Sequence, residues 1–233
     1  MGPLHPASAE QLKDIVAAAL GDKLARATVA LGELTIVVKA ADYVAAALIL
    51  RDAPSRFALA GLSMGGIVAM EVLRQAPERV ERLALLDTNP RAETPEVKAR
   101  RAPQIARALS GDLDAVIRDE MKPNYLAAGP DTRPILDLCM EMALALGPQV
   151  FAHQSRALRD RPDQTATLAA FRGPALVLTG EDDRLCPLDR HQQMHALMPQ
   201  SRLAIIPRAG HLPTLENPAA TFAHVQDWLL QPL

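Results

Sequence analysis

The sequence predicts an α/β fold built on a mostly parallel sheet, and three observations carry that prediction. Short apolar runs at 57–62, 83–86, 175–179 and 203–206 each have the length and composition of a buried strand. Helical patterns alternate with them, at 66–75 and from Pro218 to Leu230, and such alternation argues for a parallel sheet covered on both faces. Between the second and third runs, residues 95–170 are rich in Ala, Arg and Leu, broken by prolines and without a strand-like run. Several short helices inserted together as a cap are expected there.

Composition narrows the function. Hydrophobic residues make up 49% of 233 positions, enough for a sizeable core. Twenty-five basic side chains face 27 acidic ones, a net charge of −2 without long like-charge blocks, so no nucleic-acid partner is expected. Cys139 and Cys186 are too few for a disulfide framework or a cysteine-based metal cluster, and read as free thiols in a reducing, cytoplasmic setting. The start, MGPLHPASAEQL, has no basic or apolar signal region, and Pro6 stands where a myristoylation signal needs Ser or Thr. The longest useful apolar run noted, Val44 to Leu50, is too short to cross a bilayer. No membrane partner is expected.

The first 54 residues have a different texture. Residues 8–24, SAEQLKDIVAAALGDKL, open with Ser8 as N-cap and Glu10 in the first turn, and place Leu12, Ile15, Val16 and Ala19 on one helical face. Gly21 is expected to end that helix. ATVAL and LTIVVK flank Gly32-Glu33, which reads as a type II′ hairpin turn. A helix from Ala41 to about Arg51 follows, before Asp52-Ala53-Pro54 breaks it. The α-β-β-α order marks residues 1–54 as a segment apart from 55–233.

The chemistry is carried by Gly61-Leu62-Ser63-Met64-Gly65, a GxSxG sequence with a strand before it and a helix after it. Such a nucleophile elbow presents a serine hydroxyl above the sheet, with small flanking residues that let the backbone turn sharply. A serine needs a histidine base and an orienting carboxylate, downstream in the order Ser, acid, His. Asp183 follows the run at 175–179 and His211 follows the run at 203–206, so all three groups fall at carboxyl ends of strands, where open α/β sheets hold their sites. The backbone N–H of Met64 is the oxyanion donor the elbow supplies. Asp87, after the run at 83–86, is the competing acid.

From about Ser55 to its end the chain resembles the α/β-hydrolase superfamily, on GLSMGG at 61–66, APERVERLALLDT at 76–88, LVLTGEDDRLCP at 176–187 and AGHLPTLENP at 209–218. The resemblance implies Ser63 as nucleophile, His211 as base, Asp183 as acid, and a helical cap at about 90–170 that shapes the substrate pocket. It leaves Glu181 and Asp182 without a role. The strands and the oxyanion loop that the superfamily places ahead of its elbow are missing. Residues 9–52 instead resemble the N-terminus of an NADH-quinone oxidoreductase (complex I) subunit, which implies a fusion; the segment carries no cofactor motif and no cofactor is expected. The expected molecule is a truncated α/β-hydrolase fold with an N-terminal α-β-β-α graft. Its expected activity is that of a serine esterase for small carboxylic esters, slow because half its oxyanion hole is lost. The competing readings are an inactive remnant acting as a binding or assembly protein, and a related acyl-transfer or carbon–carbon hydrolase. Without preceding strands, 57–62 becomes an apolar sheet edge, to be covered by the candidate strands 27–31 and 34–39 of the same chain or by a second copy, and a homo-oligomer is the favoured expectation.

Other candidates are set aside. His191 and His195 lie four apart on a helix but lack the Glu of a zincin and a third ligand, so no metal is expected. His5, His153 and His224 are isolated, with His153 the one placed to line a cap pocket. Met140 and Met142 read as packing. Lys98 to Arg107 reads as a solvated helix face, with phosphate recognition as the alternative.

Overall fold

The computed structural model describes residues 9–30, 33–38, 56–129 and 132–232. The chain divides into two compact units, Met1–Ser55 and Arg56–Leu233. In the first, helix α1 (Ala9–Leu20) ends where Gly21 takes a φ of 52°, a conformation open to a residue without Cβ. It packs against an antiparallel pair, β1 (Leu24–Ala30) and β2 (Glu33–Val38), with Val16 and Leu20 buried. Glu33 pairs with Ala30 and so belongs to the strand, not to the turn the sequence assigned to it. Residues 31 and 32, the Ser8 cap and the expected helix at 41–51 lie outside the described residues.

The second unit is built on four parallel strands whose spatial order equals their chain order: β3 (Phe57–Leu62), β4 (Val80–Leu86), β5 (Ala175–Gly180) and β6 (Ser201–Ile206). Helix α2 (Met64–Gln75) joins β3 to β4. The cap then comprises α3 (Pro95–Arg107), α4 (Thr132–Asp160) and α5 (Thr165–Ala170), with irregular helical turns after α3. Helix α6 (Leu188–Leu197) links β5 to β6, and α7 (Pro218–Leu229) ends the unit.

The core follows from strand alternation. Leu83, Leu85, Ala175 and Val177 point to one face, against Met70 and Leu73 of α2 and Met194 of α6. Ala84, Leu86, Leu176 and Leu178 point to the other, against Ala204 and Ile206 of β6 and Trp228 of α7. Each fully buried leucine contributes roughly 1.5–3 kcal/mol. Strand β3 pairs only with β4 among the described strands, and Ala58 and Ala60 on it are exposed.

The cap is helical and interrupted, as the sequence predicts. Within α4, which spans 29 residues, Gly147 leaves the helical region with φ 79° and ψ 174°, so the Gly147-Pro148 pair divides it into two shorter helices joined at a kink. The whole of α4 is long and apolar enough to cross a membrane by length and composition, but the break divides it into two pieces each shorter than a bilayer core requires. Met140 packs against Ala108, Leu113 and Ile117 in the cap. Met142, expected to pack, is 57% exposed beside the exposed Leu138, Leu144 and Leu146.

The buried Arg82 of β4 caps the last helix: its Nη1 donates to the carbonyls of Trp228, Leu229 and Gln231. Replacing it with an apolar side chain leaves those acceptors without their donor. Arg82→Met is expected to lower stability by about 1–3 kcal/mol, measured in a urea melt followed by the fluorescence of Trp228, the single tryptophan. An unchanged midpoint would show that the cap is dispensable.

Candidate active site

Ser63 sits between β3 and α2 with φ 53° and ψ −116°, a strained conformation for a residue with Cβ. The surroundings enforce it. The Ser63 N–H donates to the Leu86 carbonyl at 2.8 Å, and the Thr88 hydroxyl donates to the Ser63 carbonyl at 2.7 Å. The elbow glycines are not equivalent: a Cβ on Gly61 would lie 2.2 Å from the Gly65 carbonyl oxygen, whereas one on Gly65 would meet nothing within 4 Å. Gly66 is the second tight position, against Thr88.

The three residues predicted from strand ends come together. Ser63 Oγ lies 2.7 Å from His211 Nε2, and His211 Nδ1 lies 3.0 and 2.9 Å from the two oxygens of Asp183. A carboxylate only accepts, so Nδ1 carries the proton and Nε2 is left to accept from the serine hydroxyl. Asp183 and His211 are both buried. Burial opposes ionisation of Asp183, but the His211 bond and charge, with the N–H groups of Cys186 and Leu185 donating to Oδ1, outweigh it and hold the carboxyl below its usual range. The Met64 N–H opens α2, and none of the described backbone hydrogen bonds uses it.

Asp87, the competing acid, makes no hydrogen bond to His211. It is fully buried, and its Oδ1 accepts from the Gly180 N–H at 2.8 Å. Burial foremost, and the charge of Asp183 beside it, push its pKa up to about 9, against the Gly180 bond that favours ionisation. Asp87 is therefore neutral where Asp183 is charged. Burial likewise draws His191 down to about 4, and its Nε2 accepts from the Thr88 N–H at 3.2 Å. His195 Nδ1 instead meets Ser201 Oγ, so the two histidines of α6 do not share a ligand. Asp183, Cys186 and His211 place ligand-type atoms within 4.8 Å of one another. Both imidazole nitrogens of His211 are already engaged, however, and burial pushes the Cys186 thiol up, away from the thiolate a metal takes.

A clamp that the sequence did not disclose holds the histidine loop. Glu216 Oε1 accepts from Ala127 N–H, and Oε2 accepts from the N–H groups of Gly210 and Leu212. His211 N–H donates to the Tyr125 carbonyl at 2.7 Å. Cap and base loop are thus tied on either side of the imidazole. Glu216 lies within AGHLPTLENP, but nothing in its spacing marked it.

A cavity of about 240 Å³ lies in the cap beside the elbow, lined by Met64, Tyr125, Leu113, Ile117 and Phe151 together with Arg101, Gln154 and Ser155. Arg101 was expected on a solvated face. Its Nε and Nη2 both bind Glu93, a side chain only 3% exposed that Arg161 Nη1 also approaches at 3.4 Å. His153 is exposed and does not line this cavity, contrary to expectation, and His224 is also exposed; His5 lies outside the described residues. A second cavity, about 540 Å³, opens among Arg56, Val80 and Pro174 at the amino ends of the strands, away from Ser63.

Residues 9–225 match the Alpha/beta hydrolase family. The chain is 28% identical over 191 residues to the pimeloyl-[acyl-carrier protein] methyl ester esterase of Aromatoleum aromaticum, covering 77% of this chain and 76% of that protein. A thermophilic esterase from Thermogutta terrifontis, solved with malate bound, superposes with a TM-score of 0.74 at 28% identity over 96% of this chain and 86% of that one. The chain also matches an NADH-quinone oxidoreductase subunit of a Polaromonas species, at 58% identity over 48 residues, 21% of this chain and 24% of that protein. The hydrolase match begins at residue 9, inside the segment read as similar to the oxidoreductase.

The burial of Asp87 has a measurable sign. Its folded pKa lies above the unfolded value, so the stability tied to its proton is complete below about 3.8 and is lost as pH rises toward about 9. Asp87→Asn keeps the acceptor for Gly180 and removes the titration. Between pH 5 and 9 the wild-type melting temperature is therefore expected to fall more steeply than that of Asp87→Asn. Parallel pH profiles would show that Asp87 is ionised in the folded chain.

Proposed function

The chain belongs to the alpha/beta hydrolase family, and we propose that it is a serine hydrolase that cleaves small carboxylic esters through an acyl-enzyme. The observation that carries this reading is the continuous contact from Ser63 Oγ through the His211 ring to a charged Asp183. Ser63 Oγ attacks the ester carbonyl carbon as its proton passes to His211 Nε2. The carbonyl oxygen gains the negative charge and is met by the Met64 N–H. Collapse expels the alkoxide, which takes the proton from His211 and leaves as the alcohol. A water then repeats the sequence on the acyl-enzyme: its proton goes to His211, its oxygen attacks, and Ser63 leaves reprotonated with the carboxylic acid released. Asp183 holds the ring in the required tautomer and stabilises the imidazolium. The esterase similarity of the relatives supports an ester over other acyl compounds.

The second oxyanion donor has no residue assigned to it in the sequence, where a segment similar to the oxidoreductase precedes the elbow. That observation favours one competing reading, an inactive remnant with an assembly role. A chromogenic short-chain ester decides between the two. Wild type is expected to turn it over and to be labelled by a fluorophosphonate at Ser63 alone; Ser63→Ala loses both. Asp183→Asn and His211→Ala are expected to abolish turnover while Asp87→Asn retains it. With the Met64 N–H as the one assigned donor, the rate is expected to lie about 100- to 1,000-fold below that of an efficient esterase. No adduct in folded protein would support the remnant.

We further propose that a second copy of the chain covers the β3 edge, which pairs only with β4 among the described strands. Light scattering at micromolar concentration is expected to give a multiple of the 25.1 kDa chain mass; a monodisperse monomer would remove this part of the reading.

A further inference from the structure

Glu93, Arg101 and Arg161 form a cluster in the cap whose charges do not cancel. Their side chains are 3%, 16% and 11% exposed. Two guanidinium groups, charged at any pH the fold survives, share one carboxylate. Arg101 spends Nε and Nη2 on Glu93. Arg161 reaches the same carboxylate with Nη1 and donates through Nε to the Arg91 carbonyl. No other carboxylate binds either arginine among the described residues. One positive charge is left over in a largely dry place, where an unpaired charge is costly.

One of the two guanidinium groups that share the carboxylate borders the cavity beside the nucleophile. Arg101 lines it, and its Nη1 makes none of the hydrogen bonds that hold Nε and Nη2. The amide of Gln154 and the hydroxyl of the buried Ser155 line it as well, whereas the remaining wall is chiefly apolar: Leu113, Ile117, Leu146, Phe151 and Leu158. Met64, next to Ser63, lines the same cavity, so a ligand that fills it meets both the reacting end and the arginine. A neutral acyl chain would leave the surplus charge unanswered. A chain ending in an anion would answer it with a charge-assisted bond.

We propose that this cavity selects esters whose acyl chain ends in an ionised carboxylate, that is, half-esters of short dicarboxylic acids, with Arg101 holding the distal carboxylate and Arg161 reinforcing it through Glu93. The selection rests on the esterase reading for its chemistry and on the arginine cluster for its specificity. Two esters separate the two. One is the p-nitrophenyl half-ester of glutaric acid, and the other is p-nitrophenyl 5-methylhexanoate, its uncharged isostere. Wild type is expected to give a kcat/KM at least 10-fold higher for the half-ester, and Arg101→Gln to bring that ratio down at least 10-fold while Arg101→Lys retains part of it. An unchanged ratio in Arg101→Gln, or a wild-type preference for the isostere, would overturn the proposal and leave the esterase reading standing.

Binding without turnover supplies the second arm. Glutarate is expected to bind Ser63→Ala at least 10-fold more tightly than glutaramide of the same shape, by calorimetry. If neither ester is hydrolysed, the esterase reading fails and this comparison still decides the site: tighter glutarate supports the anion pocket, equal affinity refutes it. If Arg101→Gln does not fold, the same pair of ligands decides it without that variant.

Discussion

The parallel register of β3 to β6 is the constraint on which the site depends. Leu62 pairs with Leu86, Leu86 with Leu178, and Gly180 with Ile206, so the four strands finish level with one another. The groups that follow them, Ser63, Asp87, Asp183 and His211, are delivered to one end of the sheet. A slip of one residue in any pair would turn that strand's side chains to the opposite face and carry its terminal group away. The two apolar clusters on either face prevent this, because each strand has a different set of partners on each side. Packing in the middle of the sheet thereby sets distances at its end.

Two aspartates reach that end, and their surroundings drive them apart. Asp183 receives hydrogen bonds from an imidazole and two amides, whereas Asp87 receives one amide and otherwise lies buried. One is a carboxylate because donors surround it; the other keeps its proton because they do not. A single carboxylate charge near Ser63 orients the imidazole. Two would repel each other across the same ring.

What the sequence made legible was local. The elbow could be read because strand, glycine, serine and helix follow one another within a few residues, and the later pieces because each closes an apolar run. The start of α2 shifted, since the helix begins at Met64, immediately after the strained serine, while its end at Gln75 is where the sequence put it. The break in α4 at Gly147-Pro148 was legible as one of the proline interruptions of 95–170. The Glu93, Arg101 and Arg161 cluster and the Glu216 clamp escaped. Their partners stand far apart in the chain, up to 89 residues for Glu216 and Ala127, and no periodicity reports such pairings. The arginines of α3 look alike in sequence; only folding distinguishes the one that turns inward.

The separation of Ser63 from His211 by 148 residues has a consequence in time. Chains are synthesised from the amino end at several residues per second, so the elbow leaves the ribosome well before the strand that leads to His211. Strand β5 cannot pair with β4 until the whole cap between them has been made, and parallel pairings across such long connections form late. Throughout that interval Ser63 Oγ has no imidazole within hydrogen-bond reach. The distance along the chain leaves the elbow without its His211 contact until β6 has docked.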